Sequence, residues 1–157
     1  MRASPPRLPD ALVAGVGTGG HITGVGRVLA EHQPSLRIVA VQPEGCSLRE
    51  NRFVTHPIQG LAVGLVPAVL DLSLVSDEEQ VSFEDARQMM RRVMRTEGLA
   101  VGISSAANLV AACRVARALP AGSRVLTFAY DGVHDYLDAL PDEDVAFVEG
   151  SLAGEAR

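Results

Sequence analysis

The chain has 157 residues, 47% of them hydrophobic and 21% charged, which suits one soluble globular domain with a sizeable core. A net charge of −5, 4% aromatic residues and no Trp leave neither a basic stripe nor stacking platforms, so nucleic-acid and anionic-membrane partners are not expected. All 14 basic residues are arginine, and the absence of lysine removes any chemistry that needs a Schiff-base amine on this polypeptide.

Residues 1–10 hold three prolines and little periodicity, and read as a lead-in. Leu12 and Val13 begin a short apolar strand, Gly15-Val-Gly-Thr-Gly-Gly20 opens a tight turn, and Ile22, Val25, Val28 and Leu29 recur at helical spacing. Glycines belong where a backbone takes positive φ or approaches a ligand closely, and a helix N-terminus offers unsatisfied N–H groups to an anion. The pattern also fits the dinucleotide fingerprint, with Glu44 as ribose partner, and the bland alternative is a turn that holds nothing.

Gln33-Pro34-Ser35 ends that helix and Leu36–Val41 is the next buried strand, so the two strands form a parallel βαβ unit. Residues 42–57 are polar and read as a mobile surface connection, with Cys46 exposed. Residues 58–72, broken by Gly60, Gly64 and Pro67, suit a structured loop. A strand near Glu79–Ser82 precedes a helix capped by Ser82 and Asp85. That helix buries Ala86, Met89, Met90, Val93 and Met94 and stops at Gly98.

Leu99–Gly102 reads as a strand, and Ser104 or Ser105 as the N-cap of a helix to Leu119 that buries Cys113. Arg124–Ala129 is the last strand, followed by a short helix ending near Leu140. The acidic tail, 141–157, is expected to fray, and Arg91, Arg92 and Arg95 to form a solvated face. His21, His32, His56 and His134 show no metal-ligand spacing, and no metal site is expected. Without a signal-peptide core, a membrane-length apolar run or a cysteine framework, the expected location is cytoplasmic.

Four patterns stand in one order: Gly15-Val-Gly-Thr-Gly-Gly20, Ile58-Gln-Gly60 with Gly64 and Pro67, Gly102-Ile-Ser-Ser105, and Tyr130-Asp-Gly-Val-His-Asp-Tyr136. Over residues 11–140 the chain resembles the C-terminal half of cysteine synthase and cystathionine β-synthase-like enzymes, the fold type II (β family) pyridoxal-phosphate group. The resemblance implies an α/β fold in three layers: a mainly parallel sheet flanked by helices, equivalent to the large domain of those enzymes and truncated at the N-terminus. It implies pyridoxal phosphate as cofactor, with Gly17, Thr18, Gly19, Gly20 and His21 in the phosphate loop and Gln59, Gly60 and Ser104 on the active-site or substrate side.

Departures from the family pattern carry information too. His21 stands where a Thr hydroxyl closes the loop, Ala106 where a Gly stands, and Gly132 where a Ser meets the pyridine nitrogen. The family's first half, with the lysine that holds the cofactor, has no counterpart, so no catalytic residue is assigned. The function implied is a cysteine synthase-like transferase or lyase domain of amino-acid biosynthesis, acting by β-replacement or elimination on a substrate such as O-acetylserine or serine, but inactive alone. As a split half-enzyme it requires a lysine-bearing N-terminal-half chain, and a homodimer is a second form of partner. The alternatives are a non-catalytic phosphate-ligand or protein-binding module and, more weakly, a dinucleotide-binding domain.

Overall fold

Alternation along two central strands sorts the core into layers. The computed structural model describes residues 7–62 and 64–154. Strands β1 (Ala11–Gly15), β2 (Arg37–Pro43), β3 (Asp77–Val81) and β4 (Val125–Leu126) form a parallel sheet in the order β3-β2-β1-β4, with Val13 opposite Val39. Every residue of β1 is buried, as a central strand covered on both faces requires.

Ala11, Val13, Val39 and Val41 face the helices α2 (Phe83–Glu97) and α3 (Ile103–Ala118), meeting Ala86, Ala107, Ala111 and Val115. Leu12, Ala14, Ile38 and Ala40 face the other way, onto Ile22 of α1 (Gly20–His32) and onto Leu70 and Val75. A third cluster of Met90, Met94, Val101, Ala106, Val133 and Val148 joins α2 and α3 to α4 (Asp142–Gly154). Burying each such Val, Leu or Ile contributes about 1.5–3 kcal/mol, so these clusters carry most of the stabilisation. None of the described helices is long and apolar enough to cross a membrane.

The α2 caps follow the sequence. Ser82 Oγ accepts from the Asp85 amide at 3.1 Å, and Gly98 ends the helix in a left-handed conformation at φ 68°. Several local expectations need correction. Residues 42–57 are pinned: Glu78 accepts from the Leu48 and Arg49 amides at 3.2 and 2.8 Å, and the Gln80 amide donates to the Cys46 carbonyl. Cys46 is consequently buried, whereas Cys113 lies on the exposed side of α3. Val28, placed on the buried stripe of α1 by its spacing, is 57% exposed, while Gly26 turns inward against Ile38.

Gly102, not Ser104 or Ser105, is the N-cap of α3, and both serines are buried in its first turn. Leu99–Gly102 contributes only a bridge between Val101 and Gly132, and 124–129 pairs with β1 only at Val125 and Leu126. Residues 142–154 form a helix packed on α2 in place of a frayed tail. Its Asp144 is fully buried and accepts from both Arg87 and Arg91. Arg91 and Arg95 lie over the Phe147 ring, so part of the expected solvated face is an interface.

Two guanidiniums bonded to one buried carboxylate make Asp144 the fixed point of α4, since its removal leaves Arg87 and Arg91 only the exposed carboxylates of Glu84 and Glu143 as partners. Asp144→Ala is expected to lower unfolding stability by about 3 kcal/mol in urea titration. An unchanged midpoint would mean that α4 is held by its apolar side alone.

Candidate cofactor site

In an open parallel sheet the strands point their carboxyl ends at the ligand crevice. Here β1 ends at Gly15, and the turn after it borders a cleft of about 390 Å³. Gly17, Thr18, Gly19 and His21 form one wall, Gly60 and Leu61 a second, and Ser104, Tyr130 and Asp131 the third.

Backbone demands explain the glycines. Gly19 is the N-cap of α1 at φ 80°, a left-handed conformation that side chains rarely adopt. A Cβ on Gly17 would sit 2.6 Å from the Gly60 carbonyl oxygen, so the two loops touch through bare backbone. The second loop is tied down by the Ala62 amide, which donates to the Val16 carbonyl at 2.8 Å.

The third wall is held by α3. The Tyr130 amide donates to Ser105 Oγ at 2.8 Å, Asn108 Nδ2 to the Phe128 carbonyl at 3.1 Å, and the Gly102 amide to the Asp131 carbonyl at 2.8 Å. Asn108 Oδ1 is buried and has no partner among the described residues.

The donors fit a phosphate. No side chain caps α1 and its first turn holds no acidic residue. Among the described residues, no carbonyl accepts from the amides of Thr18, Gly19, Gly20 or His21. Orphaned amides at the positive end of a helix, with no competing carboxylate, bind an anion. His21 closes the loop with its ring edge-on to Phe128 (centroids 4.2 Å apart) and its Nδ1 3.0 Å from Tyr130 Oη.

On the far side the ring of His134 covers Gly132, where a Cβ would approach it to 2.7 Å. Asp131, next to Gly132, contributes a carboxylate to that wall beside Ser104 and Tyr130. The Tyr136 hydroxyl donates to its carboxylate, and this bond, with burial adding to it, pushes the Tyr136 phenol up to about 12.

Of the residues named from the sequence, Gly17, Thr18, Gly19, His21, Gly60 and Ser104 border the cleft together. Gly20 is the first residue of α1, and Gln59 is exposed and outside the lining. Glu44 borders a different cavity, which removes the ribose partner of the dinucleotide reading. Tyr130 and Asp131 were missed as site residues. Their place just beyond the carboxyl end of the last strand was the available signal.

Two substitutions probe this construction. Gly17→Ala forces its methyl against the Gly60 carbonyl, and is expected to cost about 1–3 kcal/mol and to abolish saturable binding of pyridoxal phosphate in calorimetry. The raised Tyr136 phenol contributes stability that is full below its unfolded pKa near 10 and is lost as pH rises through about 12. Tyr136→Phe should flatten the fall in melting temperature across that window. An equally steep fall would place its cause elsewhere.

Comparison with known proteins agrees with this geometry. A family described as "Pyridoxal-phosphate dependent enzyme" matches residues 3–131. Cysteine synthase from Staphylococcus aureus is 39% identical over 129 residues, covering 82% of this chain and 42% of the relative. Cystathionine beta-synthase from Apis mellifera is 34% identical over 139 residues, covering 85% and 28% respectively. Among solved structures, the O-acetylserine dependent cystathionine beta-synthase from Helicobacter pylori superposes with a TM-score of 0.77 at 37% identity, over 83% of this chain and 42% of that one. O-ureido-L-serine synthase superposes with a TM-score of 0.78 at 36% identity, over 83% and 42%. The chain thus spans less than half the length of these relatives, matching them in both sequence and fold. It belongs to the pyridoxal-phosphate-dependent enzymes, on the fold type II branch that includes cysteine synthase and cystathionine β-synthase.

Proposed function

We propose that this chain is the phosphate-gripping part of a β-replacement or β-elimination enzyme and that it is inactive by itself. The carrying observation is a cleft built to hold an anion on backbone amides in a chain without lysine. When bound, pyridoxal phosphate supplies an electron sink for chemistry at the substrate Cα and Cβ. Gly17–His21 would hold its phosphate, Asp131 would face its far side, and Gly60 and Ser104 would border the space left for an amino acid.

The substrate class is an amino acid of the serine type with a leaving group on Cβ, such as O-acetylserine or serine. The similarity to an O-acetylserine dependent cystathionine beta-synthase and to an O-ureido-L-serine synthase supports that class. What these walls lack is an amine to join the cofactor covalently and to move a proton at Cα. A lysine-bearing partner chain would supply it. Leu65 and Val69, 56% and 64% exposed in the loop beside the phosphate turn, offer an apolar rim for such a partner.

A second reading, a non-catalytic module for phosphorylated ligands, is favoured by the same pairing of an intact anion site with no proton-transferring amine. One experiment separates the two. The purified chain is expected to form no cysteine from O-acetylserine and sulfide, and native mass spectrometry from its own host should show a second chain together with the mass of pyridoxal phosphate. A bare chain that binds pyridoxal phosphate without any partner supports the module, and cysteine formation by the pure chain sinks both readings.

A further inference from the structure

We infer that Tyr130 is a positioning residue that keeps the proton of His21 on Nε2, so that His21 presents an N–H donor to the anion in the loop Gly17–Gly20. This rests on the cofactor reading above and adds to it the group that closes the loop where a hydroxyl is absent.

Three contacts fix the imidazole. Its Nδ1 lies 3.0 Å from Tyr130 Oη, its plane stands at 70° to the Phe128 ring, and its centroid is 5.3 Å from that of Tyr130. Tyr130 is itself anchored, because its amide donates to Ser105 Oγ and the Phe128 carbonyl beside it accepts from Asn108. The ring of His21 is therefore held from a wall that belongs to α3, not from its own helix.

Proton bookkeeping together with the anion then favours one tautomer. The Tyr130 phenol has one hydrogen, and burial raises its pKa, so it keeps that hydrogen. Among the described residues, no acceptor other than His21 Nδ1 stands within hydrogen-bond distance of that hydroxyl. If the phenol donates to Nδ1, the neutral imidazole must carry its proton on Nε2. If the imidazole is doubly protonated, Nδ1 donates to the phenol oxygen and Nε2 is again N–H. The neutral Nδ1–H form turns the phenol hydrogen to solvent, which the 38% exposure of Tyr130 permits, but it would set a bare Nε2 lone pair toward the anion and so is disfavoured in the loaded loop. Nε2 has no protein partner among the described residues, and His21 borders the cleft beside Thr18. The other acidic group on the cleft wall, Asp131, is engaged by Tyr136.

The test uses the full chain with ¹⁵N-labelled histidine, above the imidazole titration range. The wild type is expected to show His21 as a single Nε2–H tautomer, and Tyr130→Phe, which retains the ring, a mixture of both. An Nδ1–H wild type overturns the inference. In calorimetry, Tyr130→Phe should weaken pyridoxal phosphate and inorganic phosphate by about threefold to tenfold, the range of one misaligned hydrogen bond to a charged group, and leave pyridoxal unchanged. His21→Gln retains a donor near the Nε2 position without needing orientation by the phenol. Adding Tyr130→Phe to it should therefore cost nothing more. A wild type that binds neither phosphate ligand removes the cofactor reading and the donor role together. A wild type that binds while Tyr130→Phe binds equally well removes the role of Tyr130 alone.

Discussion

A helix cannot satisfy its own first amides, and this site is built around that deficit. At most helix starts a Ser, Thr, Asp or Asn side chain accepts from them, as Ser82 does for α2. At α1 the N-cap is Gly19, with no side chain to offer and a φ of 80° that turns the chain abruptly from β1. The first turn also holds no carboxylate, so partial positive charge accumulates where the central strand of the sheet ends. Moving that turn by one residue would aim the amides away from the cleft, and the rest of the structure works to prevent such a shift.

The constraint comes from two neighbours with different chemistry. Leu61 fills the space above Gly15, where a Cβ would lie 2.3 Å from its side chain, and the Ala62 amide bonds back to Val16. This is packing plus one backbone bond. On the other side the segment after β4 is held almost wholly by polar contacts from α3: Ser105 to Tyr130, Asn108 to Phe128, Gly102 to Asp131. In each bond the α3 partner, Ser105, Asn108 or Gly102, is buried, and an unpaired buried polar group costs about 1–3 kcal/mol, so the wall has few alternative positions. Rigidity of this kind lets a cleft bind through backbone groups that have no rotamers to adjust.

What was legible in the sequence was whatever depends on neighbours a few residues away. The strand–turn–helix at Ala11–His32, the Ser82 cap and the Gly98 stop are local patterns, and each appears in place. The errors lie where distant partners decide. Cys46 sits in a polar stretch yet is buried, because Glu78 and Gln80 of β3 pin that stretch from about thirty residues away. Nothing local could show that Asp144 would pull an acidic segment onto α2, since two arginines more than fifty residues earlier decide it. The site divided along the same line. Its glycine turn was readable, whereas Tyr130 became a site residue only once β4 was laid beside β1.

That division bears on what the chain contributes to chemistry. Anion binding through amides needs no titratable group, so it withstands the total absence of lysine. Proton transfer at a carbon needs a base within hydrogen-bond reach of it. The ionisable side chains on the cleft walls are His21, Tyr130 and Asp131, and each has a protein partner. His21 and Tyr130 hold one another, and Asp131 accepts from Tyr136, whose hydroxyl keeps its proton because that carboxylate is beside it. A cleft whose ionisable groups are tied to one another in this way is, over the described residues, a surface for binding an anion.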